Sequence, residues 1–213
     1  MAAPFFPTAE FGWVFFGTLV GILLACSCVD LKKMLIPKWL TLPALGLGLV
    51  FNVVRGILLG LESSVVWQLQ PDGPFIGALD GALFAAAGFA VAFALFFVIW
   101  MLGICGGGDV KLCAAVGAWI GPGLIFRLLL VTILMVAVFM VAQIMFAVLF
   151  GTWKQLREIE RMGRAADRTL ADKPRRRLLI FSPPLAVATA ILLMWTFRVE
   201  LLLLPAVTPP NPL

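Results

Sequence analysis

The sequence has no histidine among its 213 residues, and only 13% of its residues are charged. Without histidine there is no Ser-His-Asp triad, no Cys-His nucleophile pair and no H-E-x-x-H zinc site. Acid–base chemistry must therefore use Asp, Glu, Lys or Cys, and the chain has only eleven acidic side chains. Soluble domains average about 25% charged residues, whereas this chain is 62% hydrophobic. We therefore expect an integral membrane protein.

Long apolar runs account for most of the chain. No run alternates apolar and polar residues with period two, and backbone polar groups in lipid must be hydrogen-bonded internally. We therefore predict a single all-α membrane domain over 1–213. Its six transmembrane helices are expected near 11–29, 40–60, 75–101, 110–121, 124–150 and 178–204. Glycines four residues apart, which let helices approach closely, occur at Gly17/Gly21, Gly56/Gly60, Gly77/Gly81 and Gly117/Gly121.

The basic residues predict an orientation. Of the 16 Lys and Arg residues, 13 fall in the first, third and fifth predicted loops. Cytoplasmic loops carry an excess of Lys and Arg, so we expect those three loops in the cytoplasm and both termini outside. The basic cytoplasmic loop 151–177 has nine basic and four acidic residues. It is expected to attract anionic lipid, with a docking surface for a partner protein as the alternative.

Three of the acidic residues at or within predicted spans are candidates for a function, because charged groups near a bilayer are costly. Asp30 ends the first span and Asp109 begins the fourth, so both are expected at the cytoplasmic face and at the same depth. Asp80 enters the third span from the outer side and cannot join them. Each has a plain structural interpretation: Asp30 as a juxtamembrane acid, Asp109 as a helix N-cap, and Asp80 as an interfacial or helix-packing polar contact.

Two acids at one level permit a specific chemistry. In a partly desolvated site both cannot ionise easily, so one keeps its proton. The ionised acid can take a proton from water while the protonated one hydrogen-bonds a substrate carbonyl. The glycines Gly106, Gly107 and Gly108 would permit positive φ and a close approach of backbone, and Lys111 would stabilise a charged Asp109. This pattern indicates peptide hydrolysis without histidine, serine or metal.

Two segments resemble the type IV prepilin leader peptidases, a family of six-helix aspartic membrane proteases. The stretch DLKKMLIPKWLTLP, from Asp30 to Pro43, resembles the motif at the end of the family's first helix, in which Ile-Pro-x-x-Leu-Thr follows a basic stretch. The second motif, G-x-G-D-x-K-L, is matched from Gly106 to Leu112. The likeness extends to the prolines 183–184 that enter the sixth span.

The resemblance implies a function. The family cuts a short basic leader from prepilins at the cytoplasmic face of the bacterial inner membrane, after a Gly that precedes the hydrophobic helix. Asp30 and Asp109 would be the two catalytic aspartates, and Gly106, Gly107, Gly108, Lys111 and Pro37 would shape the site. The expected partners are prepilin-like substrates, membrane lipids and pilus assembly proteins, with no nucleic acid. No cofactor or metal is expected.

The chain departs from the family pattern in two ways. Longer members have two C-x-x-C pairs and also methylate the new N-terminus, and this sequence has no C-x-x-C. It therefore looks like the short type that serves tight-adherence (Flp-type) pili. The family usually has Asp or Asn after the proline of the first motif, whereas Lys38 follows Pro37 here.

The sequence leaves other interpretations of the cysteines and of the two aspartates open. The four cysteines all lie within four residues of Asp30 or Asp109, which makes a four-thiolate zinc site conceivable; small residues for close helix packing are the simpler interpretation. A non-catalytic scaffold, or a transporter that binds a proton or cation at the aspartates, is the rival of another class. A presenilin-like protease that cuts within a transmembrane helix is the rival enzyme, since the glycine-aspartate signature is common to both families.

Overall fold

The structure, a computed structural model, describes residues 5–33, 37–62, 64–69, 73–102, 105–149 and 182–201. Within these ranges all regular structure is helical: α1 (Ala9–Lys33), α2 (Lys38–Leu61), α3 (Pro74–Met101), α4 (Gly107–Leu149) and α5 (Ser182–Thr196). The first four are long and apolar enough to cross a membrane, and α5 is a shorter apolar helix. The prediction of an all-α membrane protein is confirmed, while six spans and outside termini stay predictions. Loop 151–177 lies outside the described residues.

The helix starts follow from local sequence. Thr8 precedes α1, and its Oγ1 accepts the N–H of Phe11 at 3.2 Å, as an N-cap does. Pro37 precedes α2 with extended backbone (φ −74°, ψ 148°). Gly73 precedes α3 with φ 98°, a conformation that favours glycine, and Pro74 follows at the first helical position, where its missing N–H costs nothing.

The predicted boundary between the fourth and fifth spans is a kink, at which two helical segments of α4 meet without an intervening loop. Gly121 has φ 73° and ψ 177° and Pro122 follows it, so the helix cannot bond normally there. The kink leaves carbonyls of the preceding turn without intrahelical partners. Asn52 of α2, fully buried, donates from Nδ2 to the carbonyls of Ala118 (2.9 Å) and Trp119 (3.1 Å). One polar side chain of α2 therefore satisfies the turn that the glycine and proline disrupt.

Asn52→Ala is expected to destabilise the bundle, because two buried carbonyls lose their donor. The cost is about 2 kcal/mol or more, which lowers the melting temperature by roughly 5 °C. Thermal melting of the purified protein in detergent measures it. Thr132→Val is the matched control, since Thr132 is fully buried on α4 and its hydroxyl has no partner among the described residues. Equal melting temperatures for Asn52→Ala and the wild type would contradict this account of the kink.

Glycines set the spacing of the central helices. A Cβ added at Gly56 would overlap the carbonyl oxygen of Gly77, and a Cβ at Gly77 would overlap that of Gly56. Gly117 of α4 lies in the same way against Gly88 of α3. Close packing is therefore confirmed for three of the four predicted glycine pairs, which are Gly56/Gly60, Gly77/Gly81 and Gly117/Gly121. It is wrong for Gly17/Gly21, where an added Cβ would meet no atom of the described residues within 4 Å.

Helix α1 runs antiparallel to α2 and α5, and α3 runs antiparallel to α2 and α4, whereas α4 runs parallel to α2 and α5. Helix α3 packs against α2 and α4, and α5 packs against α1 and α4. Ser182 at the start of α5 bonds Asp30 near the end of α1, while Phe197 beyond α5 contacts Phe6 before α1, with ring centroids 4.9 Å apart. The ends of α1 and α3 and the starts of α2, α4 and α5 therefore lie at one end of the bundle, which we call the Asp30 end.

The opposite end holds Asp80. Its carboxylate accepts the backbone N–H of Trp67 at 2.7 Å and that of Gln68 at 3.1 Å. Asp80 is 1% exposed, so the bonds fix the connection between α2 and α3 against the third helix. Of the two interpretations offered for Asp80, a polar packing contact is the one observed, and its partner is loop backbone rather than another helix.

A second buried charge lies at the same end. The guanidinium of Arg55 is stacked between two rings, 3.9 Å from the Phe5 centroid and 4.5 Å from the Phe84 centroid. Glu200, which follows α5, binds the segment before α1. Its carboxylate accepts the backbone N–H groups of Phe5 (3.1 Å) and Phe6 (2.9 Å). The segment that precedes α1 is thereby attached to the residues that follow α5, which fixes the pairing of the two helices that meet at Asp30.

Candidate active site

Asp30 is a buried acid on the last turns of α1. Its side chain is 2% exposed, and its Oδ2 accepts a hydrogen bond from Ser182 Oγ at 2.6 Å. Ser182 is the first residue of α5 and is fully buried. A carboxylate removed from water needs hydrogen-bond partners, and here the partner comes from 152 residues further along the chain.

Asp109 is a buried acid in the first turn of α4 and is also 2% exposed. Its Oδ2 accepts the backbone N–H of Gly106 at 2.9 Å, and its own N–H donates to the Gly106 carbonyl at 2.9 Å. These reciprocal bonds close the glycine turn onto the helix start. The positive end of the helix dipole favours an acid there. Asp109 is the third helical residue and accepts the N–H of Gly106, the residue before the helix, so the N-cap interpretation is wrong in position: the acid caps the helix start from within.

The three glycines before Asp109 do not adopt the conformation that the sequence suggested. Among the described glycines only Gly73 and Gly121 have positive φ, and Gly106, Gly107 and Gly108 do not. Gly107 and Gly108 instead form the first residues of α4. A Cβ added at Gly107 would lie 3.7 Å from Trp100 Nε1, which is ordinary van der Waals contact. Packing therefore does not require glycine at 107.

The other predicted site residues lie at the same end of the bundle. Pro37 precedes α2, and its carbonyl accepts the N–H of Leu40 at 3.1 Å, which begins that helix. Lys111 is exposed on the first turns of α4, and Lys38, the first residue of α2, is exposed as well. Asp30, Asp109, the glycine turn and Pro37 thus share one end, whereas Asp80 lies at the other.

Helix α5 contacts both of the helices that carry the two acids. It packs against both α1 and α4, and its buried residues belong to the same apolar core as theirs. Side chains of α1 and α4 also meet directly in that core, where the rings of Phe15 and Trp119 have centroids 4.9 Å apart. Trp119 Nε1 donates to the Ala44 carbonyl at 2.7 Å and fixes α2 to the same layer.

The four cysteines, all of them described, form no disulfide with one another and lie in different surroundings. Cys26 and Cys113 are buried, Cys105 is half-buried and Cys28 is exposed. The Sγ of Cys105 lies 3.7 Å from the Phe96 carbonyl. Among the described residues, which include all four thiols, no three or more metal-binding side chains form a group that could hold an ion. The four-thiolate arrangement conceivable from the sequence is therefore not formed here.

Ser182 is the site residue that the sequence analysis missed. The available signal was its position: a polar residue directly before Pro183 and Pro184, at the start of the sixth predicted span, where that span would enter from the cytoplasmic side together with Asp30 and Asp109. The two prolines were noted for their resemblance alone. A serine is common at helix starts, so sequence alone gave no reason to connect it with Asp30.

A profile of the type IV leader peptidase family matches residues 17–141, which is more than half of the chain. The chain belongs to this family. The matched range contains Asp30, Pro37, the glycine turn, Asp109 and Lys111. The resemblance stated from the two motifs is thereby confirmed, and the chain is a member of a peptidase family.

Curated proteins that are similar in sequence to this chain carry the name of a leader peptidase. Two of them, named prepilin leader peptidase/N-methyltransferase, come from Aeromonas hydrophila (37% identical over 119 residues) and Escherichia coli strain K12 (35% over 103 residues). The alignments cover 52% and 46% of this chain, and 33% and 37% of those proteins. The chain thus matches about a third of the length of these relatives. No solved structure matches it.

Proposed function

We propose that the chain is a prepilin peptidase, an aspartic endopeptidase that removes the short basic leader of prepilin-like substrates. The observation that carries the proposal is the placement of two buried acids, Asp30 and Asp109, at one end of an apolar bundle in a member of a leader peptidase family. The printed name of the relatives supports the same substrate class. The cut is expected after a Gly that precedes the substrate's hydrophobic helix.

In the proposed mechanism Asp30 and Asp109 activate water together. The ionised acid removes a proton from water, the oxygen attacks the scissile carbonyl carbon, and the protonated acid donates a hydrogen bond to the carbonyl oxygen. The tetrahedral intermediate then expels the amine, which takes up the proton that the first acid removed from water, so the pair returns to its starting state. The protonation states belong to the pair of acids rather than to either one. Burial supports this chemistry, because electrostatic interactions are stronger out of water.

We also propose that the Asp30 end faces the cytoplasm of a bacterial inner membrane, with six spans and both termini outside. Exposed Lys32, Lys38 and Lys111 lie at this end, as the excess of basic residues on the cytoplasmic side requires. A leader that stays in the cytoplasm must be cut at that surface. Membrane lipids and pilus assembly proteins are the further partners expected.

The test is cleavage of a prepilin in the membrane. Coexpression of the full chain with a prepilin that carries a short basic leader should give the shortened pilin, and sequencing of the product should place its new N-terminus directly after the Gly. Uncut prepilin beside a well-expressed membrane protein would refute the proposal. A new N-terminus well inside the substrate's hydrophobic helix would instead support a presenilin-like protease, and ion flux without cleavage would support the transporter.

Gly107→Ala is expected to preserve folding and weaken substrate binding. The added methyl meets only ordinary contact with Trp100, and alanine favours a helix over glycine by about 1 kcal/mol. If substrate backbone approaches the glycine turn, the methyl obstructs it and raises the KM for cleavage several-fold. Gly46→Ala, where an added Cβ meets nothing within 4 Å, is the control. An unchanged KM for Gly107→Ala would show that the substrate does not approach this glycine.

A further inference from the structure

The hydrogen bond between Ser182 and Asp30 joins two buried side chains from distant parts of the sequence. The Ser182 hydroxyl is fully buried and lies 2.6 Å from Asp30 Oδ2. This separation is in the range of the strong hydroxyl–carboxylate bonds, 2.5–2.7 Å. Among the described residues, Ser182 is the hydrogen-bond partner of the Asp30 side chain. Asp30 Oδ1 is therefore not engaged by any described residue.

The hydroxyl of Ser182 can donate to Asp30 whatever it accepts. A serine hydroxyl has one O–H donor besides its acceptor lone pairs, and capping a helix start uses only a lone pair. The next two residues are Pro183 and Pro184, which have no N–H, so the start of α5 has fewer backbone donors to cap. The O–H of Ser182 is available as a donor to α1.

We propose that Ser182 is a positioning residue of the active site. Its hydrogen bond holds Oδ2 and thereby fixes the plane of the Asp30 carboxyl group, so that Oδ1 is the oxygen that exchanges a proton with the attacking water. Because α5 packs against both α1 and α4, the same contact sets Asp30 relative to the helix whose first turn holds Asp109. The inference rests on the proposed peptidase function, and it adds the third side chain of the site.

The alternative role of Ser182 is purely structural, as a hydrogen bond that holds α1 and α5 together. Such a bond contributes to the free energy of unfolding, and its loss lowers activity only by reducing the amount of folded protein. A positioning role makes a different prediction. Loss of the donor lowers kcat in protein that is fully folded, leaves KM for the substrate nearly unchanged, and is reversed by a residue that restores the hydroxyl.

The experiment compares Ser182→Ala and Ser182→Thr in the full chain, reconstituted in liposomes with a prepilin that carries a short basic leader. Ser182→Ala should reduce kcat roughly 10- to 100-fold, the range for a lost hydrogen bond to a charged group, with KM changed less than twofold. Ser182→Thr should recover most of kcat. Melting temperature and the amount of protein in the membrane are measured for every variant.

Two controls remove buried hydroxyls near the site without touching Asp30. Thr189 on α5 donates to the Leu185 carbonyl (2.7 Å), and Ser27 on α1 donates to the Leu23 carbonyl (2.8 Å). Thr189→Val and Ser27→Ala should keep kcat within twofold of the wild type. A Ser182→Ala variant with wild-type kcat, or one whose loss follows its melting temperature, would overturn the inference alone. Absence of cleavage by the wild type would instead overturn the proposed function.

Discussion

Replacement of either buried acid by its amide, Asp30→Asn or Asp109→Asn, is expected to reduce prepilin cleavage by roughly 10³-fold or more while the protein still folds. An amide can neither take a proton from water nor give one to a carbonyl oxygen, so each variant loses one half of the acid–base pair. The shape of the side chain is nearly unchanged, and Asn can still accept the bond from Ser182 or from the Gly106 N–H. Cleavage is measured with reconstituted protein and a prepilin.

The matched control for these variants is Asp80→Asn. Asp80 is as deeply buried as the other two acids, but it lies at the opposite end of the bundle and accepts loop N–H groups. Asp80→Asn should therefore retain cleavage at equal amounts of folded protein. Loss of activity in all three variants would show that burial of any acid, rather than the chemistry of the pair, controls the assay. Full activity of Asp30→Asn or Asp109→Asn would refute the mechanism.

Much of this fold could be predicted from the sequence because its signals are local. Apolar runs bounded by Pro and Gly gave the helices, and the break at residues 121–123 was visible as a Gly-Pro-Gly triplet. The sequence could not tell whether that break is a loop or a kink. The answer depends on Asn52, a residue on another helix whose amide satisfies the disrupted turn. A hydrogen bond between residues so far apart in the chain leaves no pattern in the local sequence.

The site, like the fold, could be predicted where the signal is local and could not where it depends on distant residues. That Asp30 and Asp109 lie at one end of the bundle could be predicted, because each predicted odd span ends, and each predicted even span begins, on the same side. The partners of these acids did not follow. Ser182 is 152 residues from Asp30, and which helices pack together depends on side-chain shape over the whole bundle. The glycines 106–108 were expected to permit positive φ, yet the turn continues directly into a helix, because Gly107 and Gly108 form the first residues of α4.

The second large effect is expected for stability, from Gly77→Ala. An added Cβ would overlap the Gly56 carbonyl oxygen, and this atom is backbone within a helix, so it cannot rotate away. Helices α2 and α3 would have to separate, which costs about 3 kcal/mol or more. The gain of about 1 kcal/mol in helix propensity cannot offset that. The melting temperature in detergent should fall by roughly 6–12 °C.

Gly21→Ala separates close packing from helix propensity. It makes the same substitution inside α1, where an added Cβ meets nothing within 4 Å, so its melting temperature should equal or slightly exceed that of the wild type. A melting temperature for Gly77→Ala close to that of Gly21→Ala would mean that α2 and α3 do not pack as closely as described. Gly77 lies at the end of the bundle opposite Asp30, so the Gly77→Ala protein that remains folded should keep its kcat. The aspartate variants should show the reverse, losing kcat at an unchanged melting temperature, because the contact of Gly77 with Gly56 and the two acids lie at opposite ends of the bundle.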